Sequence, residues 1–437
     1  MQELKLLSEK VLEIAQKHGA SHASATVAAS STSSVARREG KTETLKDASS
    51  MQVSLELFVD GRYSSHHTSD IREDALDHFI KQGIELTKLL EVDEFRKLPD
   101  PSLYENRADI DLEQWDERIV NMAPQDRIDL SRRLEEAGLS VGGPINTLTA
   151  SVNTSSIRLA KANTNGFSGE TARAYLSAYV SASINDPNGK KPSDGLSFYV
   201  CNLDECPNVE EFAQKATRRA LGMIGQQKLP SQKTTIVMEN SLAAQMIDKW
   251  LSPLYGSNIQ QKQSYFEGKI GQIVASPLLS ITDAPHLRRA ANSRLFDSEG
   301  ISTKERPIIL DGKLQCYLLN TYYANKLGLA PTTTGTNQIF KLGSKSEKEI
   351  IAGVNNGIFI MDLLGGNSDP VRGDFSYGFI GYAIENGKLT VPVSEMNITG
   401  NFNELWQHLV EVGNDPYPYD SVMAPTFCLT DVNVSGT

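Results

Sequence analysis

The chain has 437 residues, 39% of them hydrophobic and 22% charged, with a formal net charge of −11. That length is more than one core organises, so two domains are expected, 1–227 and 228–437. No run of about 18 apolar residues exists, which leaves no membrane span. Basic residues come in pairs such as Arg37–Arg38, Arg132–Arg133, Arg218–Arg219 and Arg288–Arg289, which disfavours nucleic acid as a partner.

The N-terminal segment mixes Glu3, Glu9, Lys10, Glu13 and Lys17 with apolar residues, so it reads as an amphipathic helix and not a secretory signal. Its apolar stripe is Leu4, Leu7, Val11, Ile14 and Ala15, and Gly19 closes it. Residues 23–34, small, polar and β-branched, read as a strand. Residues 51–59 alternate Val53, Leu55, Leu57 and Val59 with polar neighbours, then meet Asp60-Gly61, a hairpin signal whose returning strand is 62–68. Asp70 is expected to cap a helix with Ile71, Ala75, His78, Phe79 and Ile80 on one stripe, continuing towards Leu90.

After the break at residues 98–101, a helix is predicted over 124–137, ended by Gly138. Two strands over 148–152 and 157–162 follow, then a turn at 163–166 and a third strand over 172–184. A loop at 186–194 leads to a short strand at 198–201 and an amphipathic helix over 209–224. Residues 226–233, with Pro230, form the expected domain boundary. Beyond it short β runs alternate with turns, as in 308–310, Asp311-Gly312 and 314–318, and three segments read as helices: 241–254, 318–327 and 403–412. The predicted fold class is α+β, an N-terminal domain with an antiparallel sheet followed by a mainly β, barrel-like domain.

A zinc peptidase carries two His on one helix together with a Glu that activates water. The seven histidines are His18, His22, His66, His67, His78, His286 and His408; none is followed by Glu, and neither HExxH nor HExxxH occurs. Adjacent His66 and His67 would point to opposite faces of a strand. The four cysteines, Cys201, Cys206, Cys316 and Cys428, are scattered, which suggests reduced thiols in a cytoplasmic protein and no disulfide framework. Cys428 falls in an apolar strand-like segment and reads as core. There is no Gly-x-Ser-x-Gly elbow and no phosphate loop. The inventory alone gives a protein with no recognisable active site.

One long stretch carries a resemblance. The segments FDSEGISTKERPIILDGKLQCYLLNTYYANKLG (296–328), TTTGTNQIFKLG (332–343), GIFIMDLLGGNSDPVRGDFSYGFIGYAIENGKLTVPVSEMNITGN (357–401) and GND (413–415) look like the TldD/PmbA family, once called modulators of DNA gyrase. LFVDGR at 57–62 and LPDP at 98–101 match it more loosely. The family-motif positions are Asp297, Glu299, Gly300, Gly335, Asn337, Gly343, Gly365, Asn367, Gly373, Asp374, Ser376, Asn386, Gly387, Pro392, Gly400 and Asn401, either structural or lining a peptide chamber. Asp297-x-Glu299-Gly300, Gly365-Gly366-Asn367 and Asn386-Gly387 read as turns between strands. For residues 373–376 a tight turn, with Asp374 and Ser376 bonding the backbone, and a ligand role are both open.

The resemblance implies one of two kinds of subunit. TldD-like members have an HExxxH helix near the start of the second domain and a Cys ligand near the C-terminus; TldE/PmbA-like members lack both and pair with a TldD-like chain. Here the corresponding helix, 241–254, has no His, residues 413–422 have no Cys, and Cys428 falls after that place. The implied protein is a TldE/PmbA-like subunit that binds no cofactor and has no catalytic residue of its own. Its implied partner is a zinc-bearing HExxxH subunit, a homodimer standing in that partner's absence, and its substrate is unfolded peptide, with no nucleic acid and no membrane. Its implied work is to wall the peptide chamber and to hold extended substrate along a strand edge. Two other readings stay open: a binding protein that modulates DNA gyrase by protein contact, and a homodimeric hydrolase of unrecognised mechanism.

Overall fold

The computed structural model describes residues 1–436. The helix Gln2–Lys17 leads into β1 (His22–Arg38), β2 (Lys41–Val59) and β3 (Arg62–Thr68). The helices Glu73–Thr87 and Pro124–Leu139 precede β4 (Ile145–Asn163), β5 (Ser168–Ile184) and β6 (Ser193–Val200), and the helix Val209–Leu221 follows. The six strands make one antiparallel sheet in the order β3-β2-β1-β4-β5-β6. As expected, Asp60-Gly61 turns the β2–β3 hairpin, with φ of 48° and 75°.

The period of two along these strands gives the sheet two unlike faces. On one face Ala25, Val27, Leu55, Leu57 and Ala160 pack against Val11, Ala15, Leu76 and Ile80 of the first two helices. Farther along the same face, Ala150, Leu176, Val180 and Phe198 meet Leu134, Ala213 and Ala216 of the helices Pro124–Leu139 and Val209–Leu221. The other face is paved with hydroxyls: Ser24, Thr26, Ser30 and Thr32 on β1 stand opposite Glu56, Ser54, Ser50 and Ala48 of β2.

The predicted pair of strands at 148–152 and 157–162 is the single strand β4. Its polar middle, Asn153 to Ser156, has ladders to β1 and β5 on both sides, which hold it extended whatever its side chains prefer. Gly138 does not end its helix, which runs to Leu139; it faces Leu148 and Thr217, where a Cβ would crowd the sheet. Asp70 does not cap: Arg72 holds the N-cap position, and the Asp70 carboxylate accepts from its backbone N–H.

After β7 (Gln232–Met238) comes the helix Asn240–Leu251, then β8 (Ile281–Asp283), β9 (Arg306–Leu310), β10 (Lys313–Leu314) and the helix Thr321–Leu327. β11 (Gln338–Phe340), β12 (Asn356–Ser368), β13 (Asp374–Glu385), β14 (Lys388–Asn401), β15 (Leu409–Val412) and β16 (Phe427–Ser435) complete the chain. The order β14-β13-β12-β7-β16 closes on itself through β14–β16 pairing, giving a five-stranded barrel with β15 on its flank. The α+β class and the barrel agree with the sequence reading. Strands β10-β9-β8-β11 form a separate small sheet. The helix Asn240–Leu251 buries Leu242, Ala243, Met246, Ile247 and Trp250 in the same core as barrel residues Ile358, Ile360 and Phe379.

Two expectations for this part fail, and one helix was not expected. Residues 403–412 are not one helix: Phe402–Leu405 and the 3₁₀ turn Trp406–His408 give way to β15, because Leu409 and Val412 pair with β16. Gly365-Gly366-Asn367 is no turn between strands but a bulge inside β12, with φ of 107° and 130° at the two glycines. A helix that the periodicity did not suggest, Glu347–Ala352, starts from a Ser346/Glu349 capping box. Among the described residues no helix is long and apolar enough to cross a membrane.

Candidate functional site

The outer edge of the first sheet meets the barrel. β6 is an edge strand, and among the described residues no other strand pairs with its outer side. Two of its outward backbone groups are met by side chains instead: the Gly195 N–H donates to Asp194 Oδ1 (2.7 Å), and the Ser197 carbonyl accepts from Tyr417 Oη (3.0 Å). Across from β6 stands the helix Asn240–Leu251. Its core face leaves Ser241, Gln245 and Asp248, spaced four and three apart, on the opposite stripe.

A buried ion triad binds the elements together. Arg219, from the helix Val209–Leu221, donates through Nε to Asp194 on β6 (2.9 Å) and through Nη1 to both oxygens of Glu239 (2.5 and 2.7 Å), the residue that precedes the helix Asn240–Leu251. The side chains are 10%, 1% and 11% exposed, so each charge depends on the others for neutralisation. Burial pushes the Asp194 carboxyl above its usual value against the pull of the guanidinium.

Two cavities flank Tyr417 and Asp420, which line both. One, of about 370 Å³, is lined by Asp194, Gly195, Ser197, Arg219, Gln245 and Asp362 among others. The second, of about 420 Å³, is lined by Tyr199, Arg288, Arg289, Pro416, Pro418, Tyr419 and Met423. Together they make a cleft along β6 between the sheet and the barrel.

The donor set does not fit zinc. The unburied stripe of the helix Asn240–Leu251 offers the Ser241 hydroxyl and the Gln245 amide to the cleft and the Asp248 carboxylate one turn beyond, with no imidazole. Among the described residues no three of His, Cys, Asp and Glu converge on a point that could hold a metal ion. Cys428 lies buried in β16, where burial pushes its thiol up to about 11, away from the thiolate that a metal takes.

The motif positions that the sequence singles out lie elsewhere; none of them lines the two cleft cavities. Asp297, Glu299 and Gly300 form a turn beneath the first sheet: Asp297 accepts from the N–H groups of Glu299 and Ile301, and Gly300 packs on the Phe167 ring. Glu299 Oε2 accepts from the Thr321 N–H (2.7 Å) and hydroxyl (2.8 Å), and burial pushes its carboxyl up to about 7. Glu299 also lines a separate cavity of about 30 Å³ with Glu56, Tyr63 and Arg96.

Asn337 is buried and donates to the Ala284 carbonyl and Ser293, with Gly335 two positions before it. Gly343 presses its backbone on Val412, where a Cβ would collide with the carbonyl. Gly365 sits in the β12 bulge and Asn367 beside it, Asn386-Gly387 turns β13 into β14, the Pro392 carbonyl accepts from the Gln227 N–H, and Gly400 lies against Phe375. Gly373 has φ of 88°, but Asp374 and Ser376 belong to β13 and bond side chains instead of backbone: Asp374 accepts from Asn401 Nδ2 and Ser376 from Asn397 Nδ2. Asn401 also caps the short helix Phe402–Leu405.

Sequence reasoning missed Asp194, Arg219, Glu239, Asp362, Tyr417 and Asp420. The one local signal for any of them is the Pro-Tyr-Pro-Tyr-Asp run at 416–420, whose rigid backbone and aromatic load are unlike its surroundings.

Comparison with known proteins bears on this geometry. The chain matches the PmbA/TldA metallopeptidase domain 1 over residues 23–87, the central domain over 117–224 and the C-terminal domain over 231–436. It is 26% identical to Metalloprotease PmbA of Escherichia coli O157:H7, covering 99% of this chain and 96% of that one. A crystal structure from Bacteroides thetaiotaomicron, described as a modulator of DNA gyrase, is 36% identical over 100% of both chains with a TM-score of 0.96. TldE from Thermococcus kodakarensis, at 16% identity, shares the fold with a TM-score of 0.89 over 98% of this chain and 100% of its own.

Proposed function

The chain belongs to the PmbA/TldD metallopeptidase family, and from that premise we propose that it is a TldE/PmbA-like, non-catalytic subunit of a TldD/TldE-type zinc peptidase. The observation that carries the reading is the helix Asn240–Leu251, whose unburied stripe is Ser241, Gln245 and Asp248, the first two lining the cleft, with no histidine where a zinc-binding chain needs a pair. In this reading the zinc and the water-activating Glu belong to a TldD-like HExxxH partner, and the present chain binds no metal.

Its task is to wall a chamber that admits unfolded peptide. The hydroxyl-paved face of the first sheet supplies a wettable wall, and the unpaired edge of β6 supplies main-chain groups beyond the two that Asp194 and Tyr417 already meet. An extended peptide adds there as a further strand, in a mode that tolerates many sequences. The complex works in the cytoplasm.

The test is to mix this chain with a TldD-like chain and to follow co-elution and cleavage of an unstructured peptide. A stable heteromer should bury at least about 1,000 Å² and survive gel filtration. Co-elution, with peptidase activity that needs both chains, is expected. A TldD-like chain fully active alone that never co-elutes with this one would refute the subunit role; cleavage by this chain alone, resistant to chelation, would make it an enzyme in its own right.

A further inference from the structure

The cleft has more than a backbone edge to offer, because its two cavities are built of different chemistry. In the first, Arg219 is already shared by Asp194 and Glu239. Asp362 and Asp420 have no such partner among the described residues: Asp362 accepts from the Gln245 amide and its neighbour's N–H, and Asp420 from Ser421 and the Val422 N–H. That cavity therefore presents uncompensated negative charge. The second is walled by Tyr199, Tyr417, Tyr419, Pro416, Pro418 and Met423, with the Tyr417 and Tyr419 rings edge to face at 5.9 Å. Its two guanidiniums are matched by two carboxylates, Arg288 pairing with Glu113 and Arg289 with Glu113 and Glu205, so neither is a free cation.

The spacing is set by β6. Gly195 opens on the first cavity and Tyr199 on the second, four positions apart on a strand that rises about 3.3 Å per residue, so the two lie about 13 Å apart. A peptide laid along that edge has the same rise, and its residues i and i+4 point to the same side. We propose that the cleft selects extended peptides that carry a basic side chain and, four residues along, an aromatic one. The basic side chain enters the acidic cavity beside Asp362 and Asp420; the aromatic one enters the tyrosine–proline cavity. Tyr417, bonded to the Ser197 carbonyl between them, is the post over which the peptide passes. This selectivity rests on the reading of β6 as a peptide-binding edge.

The experiment measures binding of short, labelled Ser/Thr/Gly peptides to the full chain by fluorescence anisotropy at low ionic strength. One peptide has Lys and Phe at i and i+4; a second of identical composition has them at i and i+3, on opposite sides; two more replace Lys by Glu or Phe by Ser. The i,i+4 Lys–Phe peptide should bind about ten-fold tighter than the others. Asp362→Asn should weaken it while leaving the Ser-for-Phe comparison unchanged, and Tyr419→Ala should do the reverse. If all four bind alike and Ser197→Pro abolishes the binding of each, the edge is a peptide site and the selectivity is wrong. If none binds, with or without a TldD-like chain, the peptide-site reading and the selectivity fall together.

Discussion

Replacing Arg219 by Ala would leave Asp194 and Glu239 as two buried carboxylates with no cation. The side chains are 1% and 11% exposed, so water cannot take over the guanidinium's work. Breaking such a buried pair typically costs about 3–5 kcal/mol, most of it the penalty of the stranded charges. At about 2.1 cal/mol/K per residue, the unfolding entropy of a 437-residue chain is about 0.9 kcal/mol/K, so a loss of about 4 kcal/mol lowers Tm by about 4 °C if the chain unfolds as one unit. The triad joins β6, the helix Val209–Leu221 and the start of the helix Asn240–Leu251, so the cleft should loosen and peptide binding should weaken with it. The assay is thermal melting of the wild type, Arg219→Ala, and a triple variant with Arg219→Met, Asp194→Asn and Glu239→Gln. Removing all three charges together should recover most of the loss, because what destabilises is the unpaired charge and not the missing bridge. A single variant that melts within about 1 °C of the wild type, or a triple variant no better than the single, would refute the reasoning.

Ser197→Pro removes the outward N–H of β6, a position that an edge strand tolerates, and should abolish peptide binding with little change in Tm; unchanged peptide affinity would exclude strand addition at this edge. Glu299 gives a pH dependence of definite sign. Its buried carboxyl is raised from about 4.5 to about 7, so the folded state keeps a proton that the unfolded state has lost, and stability drains away as pH rises between those values. Glu299→Gln keeps an acceptor for Thr321 and carries no charge, so Tm should fall less on going from about pH 5 to about pH 7.5 than in the wild type; parallel profiles would show that Glu299 is not the group responsible. Purified chain dialysed free of chelator and analysed for metal should carry far less than one zinc per chain, and a stoichiometric zinc lost on changing a His or Cys would overturn the reading of its donor set.

The parts of the fold that the sequence shows plainly are those where local pattern and tertiary need agree. The alternation from Val53 to Val59 and the Asp60-Gly61 turn set the β2–β3 hairpin, and the stripe from Leu4 to Ala15 set the first helix. Where long-range pairing outweighs local preference, the text misleads. The polar stretch of β4 is held by ladders on both sides, and Leu409 to Val412 is drawn into β15 by β16, some twenty residues away. The Ser346/Glu349 capping box was readable but brief, with a helix of only 6 residues behind it.

The cleft was illegible for a different reason. Its triad takes Asp194 from a strand edge, Arg219 from a helix and Glu239 from the residue before another helix, so no window of sequence contains the arrangement. The motif residues that did stand out, such as Gly343 against the Val412 carbonyl, Asn337 inside its loop and the Gly365–Gly366 bulge, serve the path of the backbone. They report the scaffold. What the scaffold presents to the cleft is a different matter: Ser241 and Gln245 stand on a helix whose other face is fully packed through Trp250 and Ile247. The same helix is tied to β6 through Arg219, which holds Glu239 at its start and Asp194 on the strand edge. That tie, built from three charges costly to bury, fixes the helix against the strand edge, so the shape of the cleft depends on all three staying together.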